Sequence, residues 1–306
     1  VSASKKPDKP FYYGGQALIE GVMMRGKKYF AVAVRRPDGQ IALKSEPLPA
    51  FYSRKVSQMP FVRGFLGIVE VLSLGTRCLM YSANASQGEE EAIPKQALWF
   101  SLGMGVLFAV ALFFVAPLFL IHLLDRYIAS ALVSNLSEGA IRLLIFLIYL
   151  WLINLIPEIR RVFAYHGAEH MTVNAHESGV PLEVEPVKKY STAHVRCGTS
   201  FLIIVMLVAI LVFALLGRPP LWLRLISRVV LIPLIAAIAY EAIRLGASHT
   251  KNFAVKLMLA PGLALQSLTT RQPDDSQLEV AISALTEVIR LDREEQVTIP
   301  LPQTGG

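Results

Sequence analysis

The sequence predicts a membrane α-helical protein: about four transmembrane helices with a cytoplasmic α+β domain. That domain is built from N-terminal β-hairpins, the loop between spans two and three, and a C-terminal helix. Three observations carry this reading. First, 54% of the 306 residues are hydrophobic, too apolar for an ordinary soluble enzyme. Second, the excess concentrates in four segments, 97–121, 141–157, 200–217 and 221–243, each close to the ~20 residues that cross a bilayer core. Third, turn-punctuated strand signals precede these segments and an amphipathic helical pattern follows them.

Residues 1–96 read as a cytoplasmic β-rich region plus an amphipathic helix. After a polar start from Lys5 to Pro10, with no apolar core of a cleavable signal, Gly14–Gly26 supplies a strand with glycines at its bends. Tyr29–Arg36 is strand-prone, Pro37-Asp38-Gly39 marks a turn and Gln40–Lys44 returns, which predicts a hairpin. From Val62 to Ser82, Phe65, Val69, Leu72, Leu79 and Met80 repeat at helical spacing, with Arg63, Glu70 and Arg77 on the polar side. Those charges make a fifth span improbable, and the helix is expected on the membrane or under the hairpins. Glu89-Glu90-Glu91 and Pro94 form a loop before the first span.

Residues 97–243 form the transmembrane region, with a cytoplasmic His-rich loop at 158–198. The first and third spans carry no charge. The second has Arg142 at its entrance and ends near Pro157, through which the helix either stops or continues kinked. In the fourth, Arg224 and Arg228 either snorkel to the headgroups or precede a span that starts nearer Val229. Residues 244–306 are a cytoplasmic C-terminal region. Phe253–Leu268 reads as an interfacial or packed segment. A helix at 276–292, capped from Asp274-Asp275-Ser276, shows a Leu278, Ile282, Leu285 and Ile289 stripe that must pack, most simply on the β region. Gln303–Gly306 is a frayed tail.

Fourteen Lys and Arg precede the first span, and Arg160, Arg161, Lys188, Lys189 and Arg196 follow the second. The opposite connections carry few cations. This bias places both termini and the His-rich loop in the cytoplasm, as in a multi-pass inner-membrane protein. The net charge of +7 suits an anionic leaflet, so the lipid bilayer is the expected partner and a nucleic acid is not. Cys78 and Cys197 both fall on the cytoplasmic side, where a structural disulfide is not expected.

The chemistry-bearing stretch is Tyr165-His166-Gly167-Ala168-Glu169-His170. On a helix, His166, His170, Asn174 and Glu177 share one face, with Glu169 and His176 on an adjacent one. His166 and His170 offer two metal ligands. A third comes from Glu177, His194, Cys197 or Glu241, the last at the cytoplasmic end of the fourth span. Glu169 gives the H-x-x-E-H spacing of one class of zinc hydrolases and is the candidate general base. The bland alternatives are histidines that bind headgroups, a structural zinc that pins the loop, and a Glu241 paired with Arg244 or another basic neighbour. His122 reads as interfacial, His249 as solvated and Cys78 as a small buried side chain.

Long runs of the chain carry a resemblance: Gly15–Gly26, Tyr165–His170, Arg196-Cys197-Gly198-Thr199-Ser200-Phe201, and Pro261-Gly262-Leu263 through Leu268–Asp275. They resemble the YqhQ-like family of bacterial polytopic membrane proteins, over about Tyr13 to Ile289. The resemblance implies a membrane protein, and the family is described as metal-dependent on the strength of the same histidine motif. His166, Glu169, His170, His194 and Cys197 all match its pattern. The expectation is therefore a zinc-type site at the cytoplasmic membrane surface, in a hydrolase acting on a membrane-proximal peptide or lipid substrate. The alternative is a non-enzymatic assembly or interaction factor for a membrane-protein partner, with a structural metal or none. A transporter fits less well, since the spans show few polar residues and no repeat.

Overall fold

A computed structural model describes residues 11–49, 59, 62–88, 93–248 and 252–298. The expectations for Lys5–Pro10, Glu89-Glu90-Glu91, His249 and Gln303–Gly306 lie outside the described residues.

Four strands, β1 (Gly14–Leu18), β2 (Gly21–Arg25), β3 (Tyr29–Arg35) and β4 (Ile41–Pro47), pair antiparallel in chain order. The β3–β4 hairpin has Arg35 opposite Ile41, and Gly39 supplies the positive φ of its turn. Gly14–Gly26 is not one strand but two, reversing at Ile19-Glu20, where Glu20 takes a φ of 51°. Glutamate is a poor signal for a left-handed position, which hid this turn from the sequence. It is held from outside: Arg161 pairs with the Glu20 carboxylate and the Tyr165 hydroxyl donates to it at 3.3 Å.

The strands alternate two apolar faces, and both are covered. Val22, Met24, Ala31 and Ala33 pack against α5 (Pro157–Glu177) and α11 (Asp275–Thr298). Met23, Phe30, Val32 and Val34 pack with Leu74 and Cys78 of α1 (Val62–Ala85). Helix α11 starts on a capping box: Asp274 Oδ1 accepts from Gln277 N at 2.9 Å, and Gln277 Oε1 accepts from Asp274 N at 3.1 Å. Leu278, Ala281, Leu285 and Val288 then wedge between the sheet and α5.

The apolar part follows α1 in sequence. It holds α2 (Lys95–Val110), one π-helical turn (Ala111–Val115), α3 (Ala116–Leu124) and α4 (Ala131–Ile153). After α5 and the short α6 (Val184–Val187) come α7 (Gly198–Ala214), α8 (Leu221–Val230), α9 (Ile232–Ser248) and α10 (Phe253–Thr269). By length and composition, three described helical segments can cross a membrane: Leu66–Ala85, Gln96–Tyr127 and Ala131–Ile153. The α8–α9 pair, bent by 45°, reaches that length and composition only when its two helices are taken together, and α7 and α10 are shorter apolar helices.

These elements revise the expected boundaries. A stretch of α1 long and apolar enough to span was unexpected. Its charges are paired, Glu70 with Arg25 at 2.9 Å, Arg77 with Glu46 at 2.8 Å and Arg63 with Glu241. Helix α4 begins at Ala131 behind a Ser130 cap, so Arg142 is not at a helix entrance. It is buried inside the helix, 2.6 Å from Glu138 one turn earlier, a carboxylate it shares with Arg228. Nor does α4 run through Pro157: it stops at Ile153, Ile156 is extended, and Pro157 opens α5, where its missing N–H costs nothing. Arg224 and Arg228, read from the sequence as snorkelling or as preceding the span, both find carboxylate partners inside the protein. Both are buried on α8, paired with Asp125 at 3.0 Å and Glu138 at 2.6 Å.

Polarity in this layer runs inside out. On α8 the two arginines are buried while Leu221, Trp222, Leu225, Ile226, Val229 and Val230 are exposed. On α4, Asn135, Glu138 and Arg142 are buried while Leu132, Val133, Leu136 and Leu144 are exposed.

Candidate metal centre

Helix α5 presents His166, His170, Asn174 and Glu177 along one face, as their spacing predicts, and the loop Ser191–Cys197 lies along it. Asn174 Nδ2 donates to the carbonyls of Ser191 (2.9 Å) and Ala193 (3.1 Å), and Glu177 pairs with Arg196. His170 Nδ1 lies 2.6 Å from the Thr192 carbonyl, and His166 Nδ1 lies 2.8 Å from the Thr269 carbonyl at the end of α10. A carbonyl oxygen can only accept, so each Nδ1 carries a proton, and in the neutral imidazole each Nε2 keeps its lone pair. Metal-ligating histidines are oriented in this way by their outer-shell partners.

The loop brings Cys197 to the two imidazoles. Its Sγ is 3.2 Å from His166 Nε2, and one donor atom from each of His166, His170 and Cys197 lies within 4.8 Å of the others. Tetrahedral zinc with bonds of ~2.0–2.3 Å needs donors roughly 3.5 Å apart, so closing this triad on a metal needs only small side-chain shifts. Cys197 also caps α7 at its N-terminus. Thr199 N–H donates to the sulfur at 3.4 Å, and the Thr199 hydroxyl is 3.0 Å from it. The Thr269 hydroxyl in turn donates to Thr199 at 3.3 Å.

Glu169 is buried beside the triad, with Oε2 3.5 Å from His170 Nε2. Burial pulls the His170 imidazole down, but Glu169 and Cys197 outweigh it and hold its pKa above the ordinary histidine value.

The remaining candidates divide. His194 is adjacent, its ring 5.7 Å from that of His170, but it stands outside the group of close donors. Its Nδ1 accepts from Arg196 N–H at 3.3 Å, and its Nε2 is 3.6 Å from Glu177. Burial holds its pKa below the ordinary value. Glu177 serves the loop through Arg196, not the triad. Glu241 is held by Arg63 of α1, the basic-neighbour alternative. His176 stacks edge-on against Tyr13 at 5.2 Å, and burial and Arg293 lower its pKa. Asn174 is spent on the carbonyls of Ser191 and Ala193.

Sequence reasoning missed the supports, because carbonyls and amides carry no metal signature. Buried Gln266 of α10 accepts from His194 N at 2.8 Å and donates to His194 O (2.8 Å) and Ser200 Oγ (2.7 Å). Gly167, inside the motif, gave the one usable signal. A β-carbon there would collide with the Arg271 carbonyl, and Arg271 N–H donates to the Phe163 carbonyl at 2.9 Å. The glycine lets the chain after α10 cross α5 and bring Thr269 O to His166. Gly167→Ala should therefore displace that carbonyl and lower metal affinity about 10- to 100-fold, the usual cost of losing an outer-shell partner. Zinc titration against a competing chelator measures this.

The architecture is thus a layer of long apolar helices joined to an α/β unit, with a His/Cys cluster where α5, α7 and α10 meet. A family model described as "Protein of unknown function (DUF1385)" matches residues 59–291. The chain is 37% identical over 301 residues to "Uncharacterized protein YqhQ" of Bacillus subtilis (strain 168), covering 92% of this chain and 94% of that one. The chain belongs to the YqhQ-like family. No solved structure matches it.

Proposed function

We propose that this is a multi-pass membrane protein with a zinc-type centre at its cytoplasmic surface, and that the centre hydrolyses a membrane-proximal peptide or lipid substrate. Membrane residence is supported by the inverted polarity of α4 and α8. Exposed leucines over buried arginines are costly in water and expected in hydrocarbon. The single observation that carries the site is the pair of Nδ1–H···O=C bonds, which leave His166 Nε2 and His170 Nε2 beside Cys197 Sγ.

Three protein donors of this kind fit a catalytic site, which keeps a position for water or substrate. A divalent metal held by them would supply Lewis acidity toward a substrate carbonyl or phosphoryl oxygen. Glu169, buried beside the ligands, takes a proton from the attacking water and returns it to the leaving group. Thr192 and Thr269 carbonyls keep the imidazoles oriented, and the Thr199 N–H and hydroxyl hold the Cys197 sulfur in place. The partly exposed His166 gives the side of approach.

Metal analysis of purified full-length protein tests this. Stoichiometric zinc or a similar transition metal is expected in the wild type and not in His170→Ala; no metal in either would refute the centre. A second reading, a structural metal in an assembly factor, draws on the burial of His170 and Cys197. It requires a fourth protein ligand and unfolding of the 191–197 loop on metal removal.

A further inference from the structure

Apart from the metal centre, the apolar layer holds a second cluster of charge. Glu138 and Arg142 of α4 and Arg228 of α8 form one group, with Arg228 Nη2 2.6 Å from Glu138 Oε2 and Arg142 Nη2 2.6 Å from Glu138 Oε1. Asp125 joins Arg224 (3.0 Å) and Arg218 (3.1 Å) beside it, with Ser134 on the same carboxylate. Glu138 lies sixteen residues before Asn154, about 24 Å along a helix. Asn154 in turn bonds the Leu268 carbonyl at the end of α10, so the cluster stands well away from the metal centre.

The charges do not balance. Among the described residues, two carboxylates face four guanidiniums. The deep group is one carboxylate short, with Arg228 1% and Arg142 7% exposed. Arginine cannot shed its proton, so the excess cannot be removed by titration. The rings of Phe213, 4.0 Å from Arg228, and Phe114, 5.8 Å from Arg142, offset only part of the cost of a buried charge. Arg142 Nε and Arg224 Nε, both buried, have no hydrogen-bond partner among the described residues.

We propose that this cluster is an anion site that takes a phosphate group, with Arg142 and Arg224 as its binding residues and Glu138 as the counter-charge that fixes Arg228. The missing negative charge then comes from the ligand, either an anionic lipid headgroup or free phosphate. The planar guanidinium suits phosphate better than a point charge would.

The test is thermal unfolding of the full chain in detergent micelles, with phosphatidylglycerol, phosphatidylcholine or inorganic phosphate added. Phosphatidylglycerol at about 100 times its Kd should raise Tm by roughly 5 °C, and phosphatidylcholine should not. An equal rise with inorganic phosphate identifies a free-phosphate site, and a rise with phosphatidylglycerol alone identifies a headgroup site. No rise with either anion, or an equal rise with phosphatidylcholine, would overturn the proposal. Arg142→Met removes the excess charge, so it should fold without anion and lose the response; a wild-type response in that variant also overturns it. If Arg142→Met does not fold, native mass spectrometry of the wild type gives the readout: retention of one phosphatidylglycerol supports the site, and retention of none contradicts it.

Discussion

Zinc affinity is expected to fall by more than about 100-fold in His166→Ala, His170→Ala or Cys197→Ala, and by less than about 10-fold in His194→Ala or Glu241→Ala. Loss of an outer-shell partner alone costs 10- to 100-fold, so loss of a ligand must exceed that. The contrast follows from position. The first three supply the atoms within 4.8 Å of one another. Glu241 is committed to Arg63, and His194 is held through its own Nδ1 by the Arg196 backbone. Isothermal titration or chelator competition with purified variants measures the series. Equal losses for His194→Ala and His170→Ala would place His194 in the ligand set and point to a closed, structural site.

Glu169→Gln is expected to keep zinc within about tenfold of wild type and to lower hydrolysis by ~10²–10⁴, the usual contribution of a positioned general base. Glutamine keeps the shape of the buried side chain but cannot take a proton. Glu169 is 3.5 Å from His170 Nε2, near enough to reach a water beside the ligands without being one of the three donors. The assay is turnover of ester and peptide substrates presented in detergent micelles, with metal content measured on the same samples. Unchanged turnover in a zinc-loaded Glu169→Gln would remove the base from the mechanism. Lost zinc would make Glu169 a ligand.

Much of this was legible in the sequence where periodicity or spacing carried it. The β3–β4 hairpin, the amphipathic α11, the apolar segments and the His166–Glu177 face are all periodic features. The missing part was long-range. No local signal says that the face of α4 carrying Glu138 and Arg142 is buried, or that Arg228, ninety residues after Glu138, shares its carboxylate. The sequence therefore placed α4 ten residues late and left the two α8 arginines either snorkelling to the headgroups or ahead of the fourth span. The β1–β2 turn was hidden because Glu20 occupies a position that glycine or asparagine normally marks. At the His/Cys cluster, residue types pointed to His166, His170 and Cys197 among several candidates. Only the fold could separate Cys197 from Glu241, since that choice rests on the Ser191–Cys197 loop being held along α5 by Asn174 and on Glu241 being taken by Arg63. The backbone carbonyls of Thr192 and Thr269 were invisible for the same reason.

X-ray absorption at the zinc edge of the metal-loaded full chain tests the central claim most directly. A first shell of one sulfur at ~2.3 Å with three nitrogen or oxygen neighbours at ~2.0–2.1 Å is expected, at least one of them exchangeable with an added anion. A shell without sulfur, or no bound zinc at all, would contradict the account.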